Sequence, residues 1–167
     1  VPHLGVLVLL NNKIGDAGLG AIADRCATTS LWQLVLSENN IGDAGVVALA
    51  NVVKNNPDGA FTRLKWLFLD SNSNIGDKGL KALSEALEVG LKSIDRLSLH
   101  HCKIGMRGIK ALASAINKGA LAKCELLYLQ NNELDLEAKT IIKTAARPFN
   151  IKVHLGWPPP LPGVDYD

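Results

Sequence analysis

The chain has 167 residues, with 18 lysines and arginines against 16 aspartates and glutamates, so its formal charge is +2. This length corresponds to one domain, at about 100–200 residues per domain. A content of 47% apolar residues is enough to build a core and excludes wholesale disorder. The near-neutral charge argues against a dedicated nucleic-acid or anionic-membrane binder. No apolar run reaches the roughly 18 residues of a membrane span, so we expect neither nucleic acid nor membrane as partner.

The cysteine content is low, with Cys26, Cys102 and Cys124 and no Cys-x-x-Cys pair. This pattern argues against a disulfide framework and a zinc knuckle and favours a reducing, cytoplasmic compartment. We expect no metal or other cofactor. The first residue, Val1, falls inside a repeat, so we expect the chain to be a fragment of a longer protein.

A repeated motif runs along the chain, made of a Leu-x-Leu triplet, an Asn and an Ile-Gly-Asp step. The five triplets begin at Leu7, Leu34, Leu67, Leu97 and Leu127. The apolar residues that begin the following step are Ile14, Ile41, Ile75, Ile104 and Leu134, at spacings of 27, 34, 29 and 30 residues. Ile151–Val153 is interpreted as a closing half-copy. Five copies in phase predict a repeat architecture.

Each copy combines signals for a strand, a turn and a helix. The alternating triplet predicts a short half-buried strand, and the Asn can satisfy backbone groups where the chain turns out of it. The glycine of Ile-Gly-Asp marks a turn, and its Asp is placed to cap a helix N-terminus. Apolar residues then recur at helical spacing. The fifth helix is predicted from about Leu136 to Ala146, where Pro148 prevents continuation.

One strand and one helix cannot bury an apolar face alone, so the units must stack. The predicted fold is an α/β solenoid of about five repeats plus a closing strand, with parallel strands on the concave face and helices on the convex face. The pattern Leu-x-x-Leu-x-Leu-x-x-Asn-x-Ile-Gly-Asp-x-Gly resembles the ribonuclease-inhibitor class of leucine-rich repeat, from about Leu4 to Val153. In the fourth copy Cys102 replaces the Asn. The resemblance implies a binding module, since that class includes inhibitors, innate-immunity receptor tails, GTPase-activating proteins of the Ran type and actin-capping modules.

The chain is divided into a repeat domain, residues 1–156, and a Pro-rich tail, residues 157–167. Trp157 in this tail is interpreted as a cap on the open end of the solenoid. The segment Pro159–Pro162 also fits a polyproline II ligand for an SH3 or WW type of partner.

The predicted partner-binding residues lie beside the strand leucines, because side chains alternate along a strand and the leucines point inward. They are Val35, Trp66, Phe68, Asp70, Arg96, His100, Tyr128 and Gln130. In this phase Lys152 stands beside Tyr128, and His154 beside Gln130. We expect the three aromatic side chains to be solvent-facing and ringed by charges, which is typical of an interface hot spot.

Two sets of side chains in the sequence resemble a catalytic triad or a metal site. Ser37, Asp70 and His100 fall on adjacent strands about 4.8 Å apart, but a nucleophilic triad needs His in the middle and here Asp70 is central. His100, His101 and Cys102 resemble a metal cluster, but alternation should send Cys102 into the core, and His100 and His154 would be about 9–10 Å apart.

The sequence therefore predicts a non-enzymatic module that binds a partner protein through its concave strand face. A GTPase-activating protein of the Ran type and a structural section of a larger sensor or receptor remain the alternatives.

Overall fold

The computed structural model describes residues 3–156, in which six short parallel strands alternate with five helices. The strands are β1 (Val6–Val8), β2 (Gln33–Val35), β3 (Trp66–Phe68), β4 (Arg96–Ser98), β5 (Leu126–Tyr128) and β6 (Lys152–His154). The helices are α1 (Gly15–Cys26), α2 (Asp43–Asn55), α3 (Asp77–Val89), α4 (Met106–Asn117) and α5 (Leu136–Ala146). None of these helices is long and apolar enough to cross a membrane. The predicted tail, residues 157–167, lies outside the described residues, so the division of the chain at residue 156 stays a prediction.

The strands form one sheet in sequence order, and each strand pairs in parallel with the next. The register aligns the central leucines, and those of β2 to β5 are fully buried: Leu34, Leu67, Leu97 and Leu127. Consecutive helices pack on one another behind the sheet. The α/β solenoid predicted from the repeats is confirmed, and so is the phase that sends the leucines inward.

An asparagine ladder ties consecutive repeats together at the carboxyl ends of the strands. Asn72 donates its side-chain amide to Leu36 O, at 3.0 Å, and Leu69 O, at 2.9 Å. Its Oδ1 accepts from the backbone N–H groups of Asn39 and Ile41 in the preceding repeat, at 2.9 and 3.0 Å. One fully buried side chain therefore satisfies backbone groups of two repeats at once.

The Asp of the Ile-Gly-Asp step caps a helix N-terminus, as expected, and the helix is that of the next repeat rather than its own. Asp16 Oδ1 accepts from the backbone N–H groups of Gly42 and Gly45, at 2.6 and 2.9 Å, at the start of α2. The same pair of bonds joins Asp43 to the start of α3 and Asp77 to the start of α4. Each carboxylate also faces the positive end of the neighbouring helix dipole.

The second glycine of the motif makes room for this carboxylate. Gly45, Gly79 and Gly108 lie inside helices. A Cβ atom at Gly45 would stand 2.7 Å from Asp16 Oδ1, closer than side-chain carbons approach an oxygen. The motif pairs an Asp in one repeat with a Gly in the next.

The fourth repeat lacks both the ladder asparagine and the Asp that caps the next helix. Cys102 occupies the ladder position and donates weakly to Leu69 O at 3.8 Å. Met106 stands at the position of the capping Asp, and α5 is capped by its own Asp135, which accepts from Ala138 N at 2.7 Å. Ala138 also stands where the other helices carry the glycine. The bridging cap that Met106 lacks is thus replaced by a cap within the fifth repeat itself.

Candidate functional site

The strand register arranges the concave side chains in rows across the sheet. The first row contains Trp66, Arg96, Leu126 and Lys152, and the second contains Phe68, Ser98, Tyr128 and His154. The predicted phase of β6 was wrong by two residues, since Lys152 stands beside Leu126 and His154 stands beside Tyr128. The reason is that Ile151 does not begin a triplet. It is buried and lies two positions before Val153, the central residue of β6, which pairs with Leu127 of β5.

An aromatic cluster occupies the middle of the concave face. The rings of Trp66 and Phe68 are stacked with their centroids 6.2 Å apart and their planes 4° from parallel. The Arg96 guanidinium lies 4.6 Å from the centroid of the Trp66 ring, a cation–π contact. The expectation of fully solvent-facing aromatics was too simple, because these contacts leave both rings half-buried. The cluster is preorganised and still presents part of its surface.

A second stacked pair lies two strands away. The rings of Tyr128 and His154 have centroids 5.0 Å apart and planes within 17°. Burial raises the pKa of Tyr128, and the charge of Arg96 opposes this rise. The phenol is therefore protonated at neutral pH and can act as a hydrogen-bond donor.

A polar chain connects three strands just beyond the second row. Ser37 donates to Asp70 Oδ1 at 3.0 Å, and His100 Nε2 lies 3.5 Å from Asp70 Oδ2. Ser98 Oγ is 2.9 Å from His100 Nδ1. Burial lowers the pKa of His100; nearby Asp70 acts in the opposite direction, and His101 lowers it further. His100 is therefore neutral at pH 7 and fixed by contacts on both ring nitrogens.

Ser98 is the residue that the sequence interpretation of a catalytic triad missed. Ser37, Asp70 and His100 do meet in the predicted order, with Asp70 central, but Ser98, His100 and Asp70 stand in the order of a nucleophilic triad. Ser98 is only 4% exposed, however, and the next amide, Leu99 N–H, donates to Tyr128 O. An acyl-transfer site needs an accessible hydroxyl and amides aimed at an oxyanion, and this arrangement offers neither.

Three of the predicted contact residues are more buried than the rest. Val35 and Asp70 are each 9% exposed, and Gln130 is 1% exposed. Among the described residues the Gln130 side-chain amide has no hydrogen-bond partner at either Oε1 or Nε2. Trp66, Phe68, Arg96, His100 and Tyr128 are half-buried and form the accessible part of the predicted set.

Trp32 belongs to the same aromatic cluster and was not predicted. Its ring meets Trp66 edge-on, with centroids 5.5 Å apart and an angle of 79°, and it is 38% exposed. Trp32 lies one residue before β2, so alternation along the strand could not place it. The only sequence signal was a tryptophan directly next to a predicted concave position.

Within residues 3–156, no group of three or more His, Cys, Asp and Glu side chains is arranged to hold a metal ion. The thiols of Cys102 and Cys124 are buried, and burial raises the pKa of each to about 12. Both thiols are therefore protonated and act as small core residues, as predicted for Cys102.

Comparisons with known proteins agree with the repeat architecture. The Leucine Rich repeat family matches the chain at residues 2–23, 29–50 and 67–84. No curated protein matches it. Among solved structures, the chain is similar to the crystal structure of an internalin (inlF) from Listeria monocytogenes, with 21% identity and a TM-score of 0.56. The similarity covers 90% of this chain, which spans 34% of that internalin chain. The repeats, the parallel sheet and these matches together support a leucine-rich repeat fold.

Proposed function

We propose that the chain is a protein-binding module whose partner docks on the concave face between β3 and β6. The observation that carries the proposal is the cluster of stacked rings on that face, Trp66 with Phe68 and Tyr128 with His154. Aromatic side chains supply a large contact area with few rotatable bonds, and they dominate interface hot spots. Because neighbouring side chains already hold these rings, little conformational freedom is lost when a partner binds.

The charged groups of this face would set the orientation of the partner. The Arg96 guanidinium is held over Trp66, and an arginine can hold a carboxylate of the partner through charged hydrogen bonds. Asp70 is engaged by Ser37 and His100, so its role is to hold the polar chain in place. We therefore assign direct contact to Arg96 and His100 and a positioning role to Asp70.

Val35 and Gln130 have supporting roles in this proposal. Val35 pairs with Phe68 in the strand register and fills the space beside that ring. Gln130 carries a buried amide without a partner among the described residues, and such a group is costly unless a hydrogen bond reaches it. A polar group of the docked protein that reaches Gln130 would remove this cost.

The proposal is tested by measuring the affinity of a partner captured with the intact module. We expect Trp66→Ala and Tyr128→Ala each to weaken binding by about 2 kcal/mol or more, the usual scale of a hot spot. The matched control is Val89→Ala on α3, where the removed side chain is 47% exposed on a helix. Equal affinity for all three variants would refute the site, while circular dichroism confirms that each variant is folded.

The finer classification also belongs to this proposal. The spacing of about 30 residues and a full helix in each of five repeats support the ribonuclease-inhibitor-like class. The three cysteines are unpaired thiols, which supports a reducing, cytoplasmic location.

A further inference from the structure

An open cavity of about 700 Å³ lies at the amino ends of β2, β3 and β4, beside the concave face. We call it the amino-edge pocket. Its walls include Trp32, Trp66, Arg63, Lys65 and Asp95, with Gly5 at one end. Its volume is in the range typical of ligand sites.

The backbone fixes the floor of the amino-edge pocket. Trp32, Lys65 and Asp95 each precede a strand, and a regular ladder joins them: Lys65 N–H donates to Trp32 O, and Asp95 N–H donates to Lys65 O, at 2.8 and 2.9 Å. Trp32 N–H in turn donates to Gly5 O at 2.8 Å. The side chains of three successive repeats are therefore held side by side at this edge.

Two tryptophans form the apolar part of the pocket. Trp32 and Trp66 meet edge to face, so their planes make two walls at nearly a right angle. Gly5 allows this placement, because a Cβ atom there would lie 3.1 Å from the indole nitrogen of Trp32. The angle between the walls suits an aliphatic or aromatic side chain.

Two cations border the tryptophans. Arg63 and Lys65 are exposed, and among residues 3–156 neither is within 4.0 Å of a carboxylate. Burial raises the pKa of Asp95, and the charge of Lys65 opposes this rise, while Arg63 can hold a carboxylate of a ligand through two parallel hydrogen bonds.

Asp95 is the third feature of the amino-edge pocket, after the tryptophans and the two cations. Its Oδ1 atom is buried and has no hydrogen-bond partner among the described residues. An unpartnered buried acceptor is costly, and a backbone N–H of a bound peptide is the kind of donor that would satisfy it.

We propose that the amino-edge pocket binds a short acidic peptide segment of a partner protein. One hydrophobic side chain of the segment packs in the angle formed by the Trp32 and Trp66 rings, its carboxylates pair with Arg63 and Lys65, and a backbone N–H donates to Asp95. The charge of the two cations fixes the acidic character of the segment. This site adjoins the concave face and shares Trp66 with it, but Trp32, Arg63 and Lys65 lie outside the concave rows.

The test is a nuclear magnetic resonance titration of the whole chain at pH 7, which follows the indole N–H signals of Trp32 and Trp66. The probe is the synthetic peptide Asp-Glu-Leu-Phe-Asp-Glu with blocked ends, and its control replaces each acid by the corresponding amide. We expect saturable shifts of both signals with a dissociation constant below about 1 mM, the weak end of specific binding. The amide peptide should bind at least fivefold more weakly.

Matched variants locate the site. The double variant Arg63→Gln with Lys65→Gln should bind the acidic peptide at least fivefold more weakly than the unchanged chain does. Trp32→Ala should weaken the binding of the peptide by the same factor. Lys81→Gln with Lys110→Gln removes the same charge from exposed helix positions and should change nothing. Tyr128→Ala should also leave the peptide affinity unchanged, which separates this site from the concave one. Absence of indole shifts up to 5 mM of peptide, about five times the expected constant, or equal binding of the acidic and amide peptides, would overturn the proposal.

Discussion

Two junctions between consecutive repeats hold the solenoid together in different ways. Between the second and third repeats, Asn72 bonds to both repeats and Asp43 caps the next helix. Between the fourth and fifth repeats, Asn132 keeps the ladder, but Met106 stands in place of the capping Asp and Asp135 caps α5 locally. The difference shows that a cap can move from a neighbouring repeat into the repeat that it serves. It then satisfies the helix but no longer couples two repeats.

The largest predicted effect on stability comes from removing Asn72, the ladder asparagine that bonds to both repeats. Asn72→Ala should lower the free energy of unfolding by about 3 kcal/mol or more, because it leaves several buried backbone groups unsatisfied. Cys102→Ala, at the equivalent position with weak bonds, should cost only about 1 kcal/mol, since it removes little more than a small buried side chain. Urea denaturation measures both values. Equal costs would contradict the view that the asparagine, rather than the position, carries the coupling.

The next largest effect on stability comes from removing the Asp43 carboxylate, which caps the helix of the following repeat. Asp43→Ala should cost about 1–2 kcal/mol through loss of the cap on α3. Hydrogen exchange should show increased opening at the start of α3 rather than in α2, which carries the substituted residue. Opening confined to α2 would mean that the carboxylate acts within its own repeat.

A smaller effect should appear when the local cap is converted into the bridging one. Met106→Asp alone should destabilise the chain, because the Ala138 Cβ occupies the space that a glycine leaves open in the other helices. Adding Ala138→Gly should make room, and the two substitutions should couple favourably by about 1 kcal/mol. A double-mutant cycle measures this coupling, and strictly additive costs would refute the Asp–Gly pairing.

The smallest predicted effect is on the pH dependence of stability. It concerns the junction between the third and fourth repeats, where His100 contacts Asp70. Burial holds the pKa of His100 below its ordinary value of 6.5, so the unfolded chain binds the proton more readily. The contribution to stability is complete above pH 6.5 and is lost as the pH falls from there toward the lowered pKa of the folded state. His100→Gln should flatten the pH dependence of the unfolding free energy in this window. An unchanged slope for this variant would contradict the contribution assigned to His100.

The sequence was sufficient to predict the fold, because each repeat contains its own signals for a strand, a turn and a helix. The leucines, the ladder asparagines and the end of α5 before Pro148 follow from local spacing. The bridging role of Asp43 could not be predicted, because its partners, Gly76 and Gly79, belong to the next repeat. The phase of β6 was wrong because Ile151 imitates the first residue of a strand triplet.

The candidate site was predictable in location but not in detail. Alternation placed Trp66, Phe68 and Tyr128 on the concave side, and the register confirms that placement. The burial of Gln130 depends on side chains from neighbouring strands, which a single repeat does not specify. Trp32 lies before its strand, where alternation gives no direction.

The central claim, that the aromatic cluster is the docking surface, is tested most directly by hydroxyl-radical footprinting of the chain with and without a bound partner. Partner binding should protect Trp66, Phe68 and Tyr128 from oxidation. Oxidation of Leu136, which is 80% exposed at the start of α5, should stay the same. Unchanged oxidation of the three aromatics, with protection of the helix surface instead, would contradict the account.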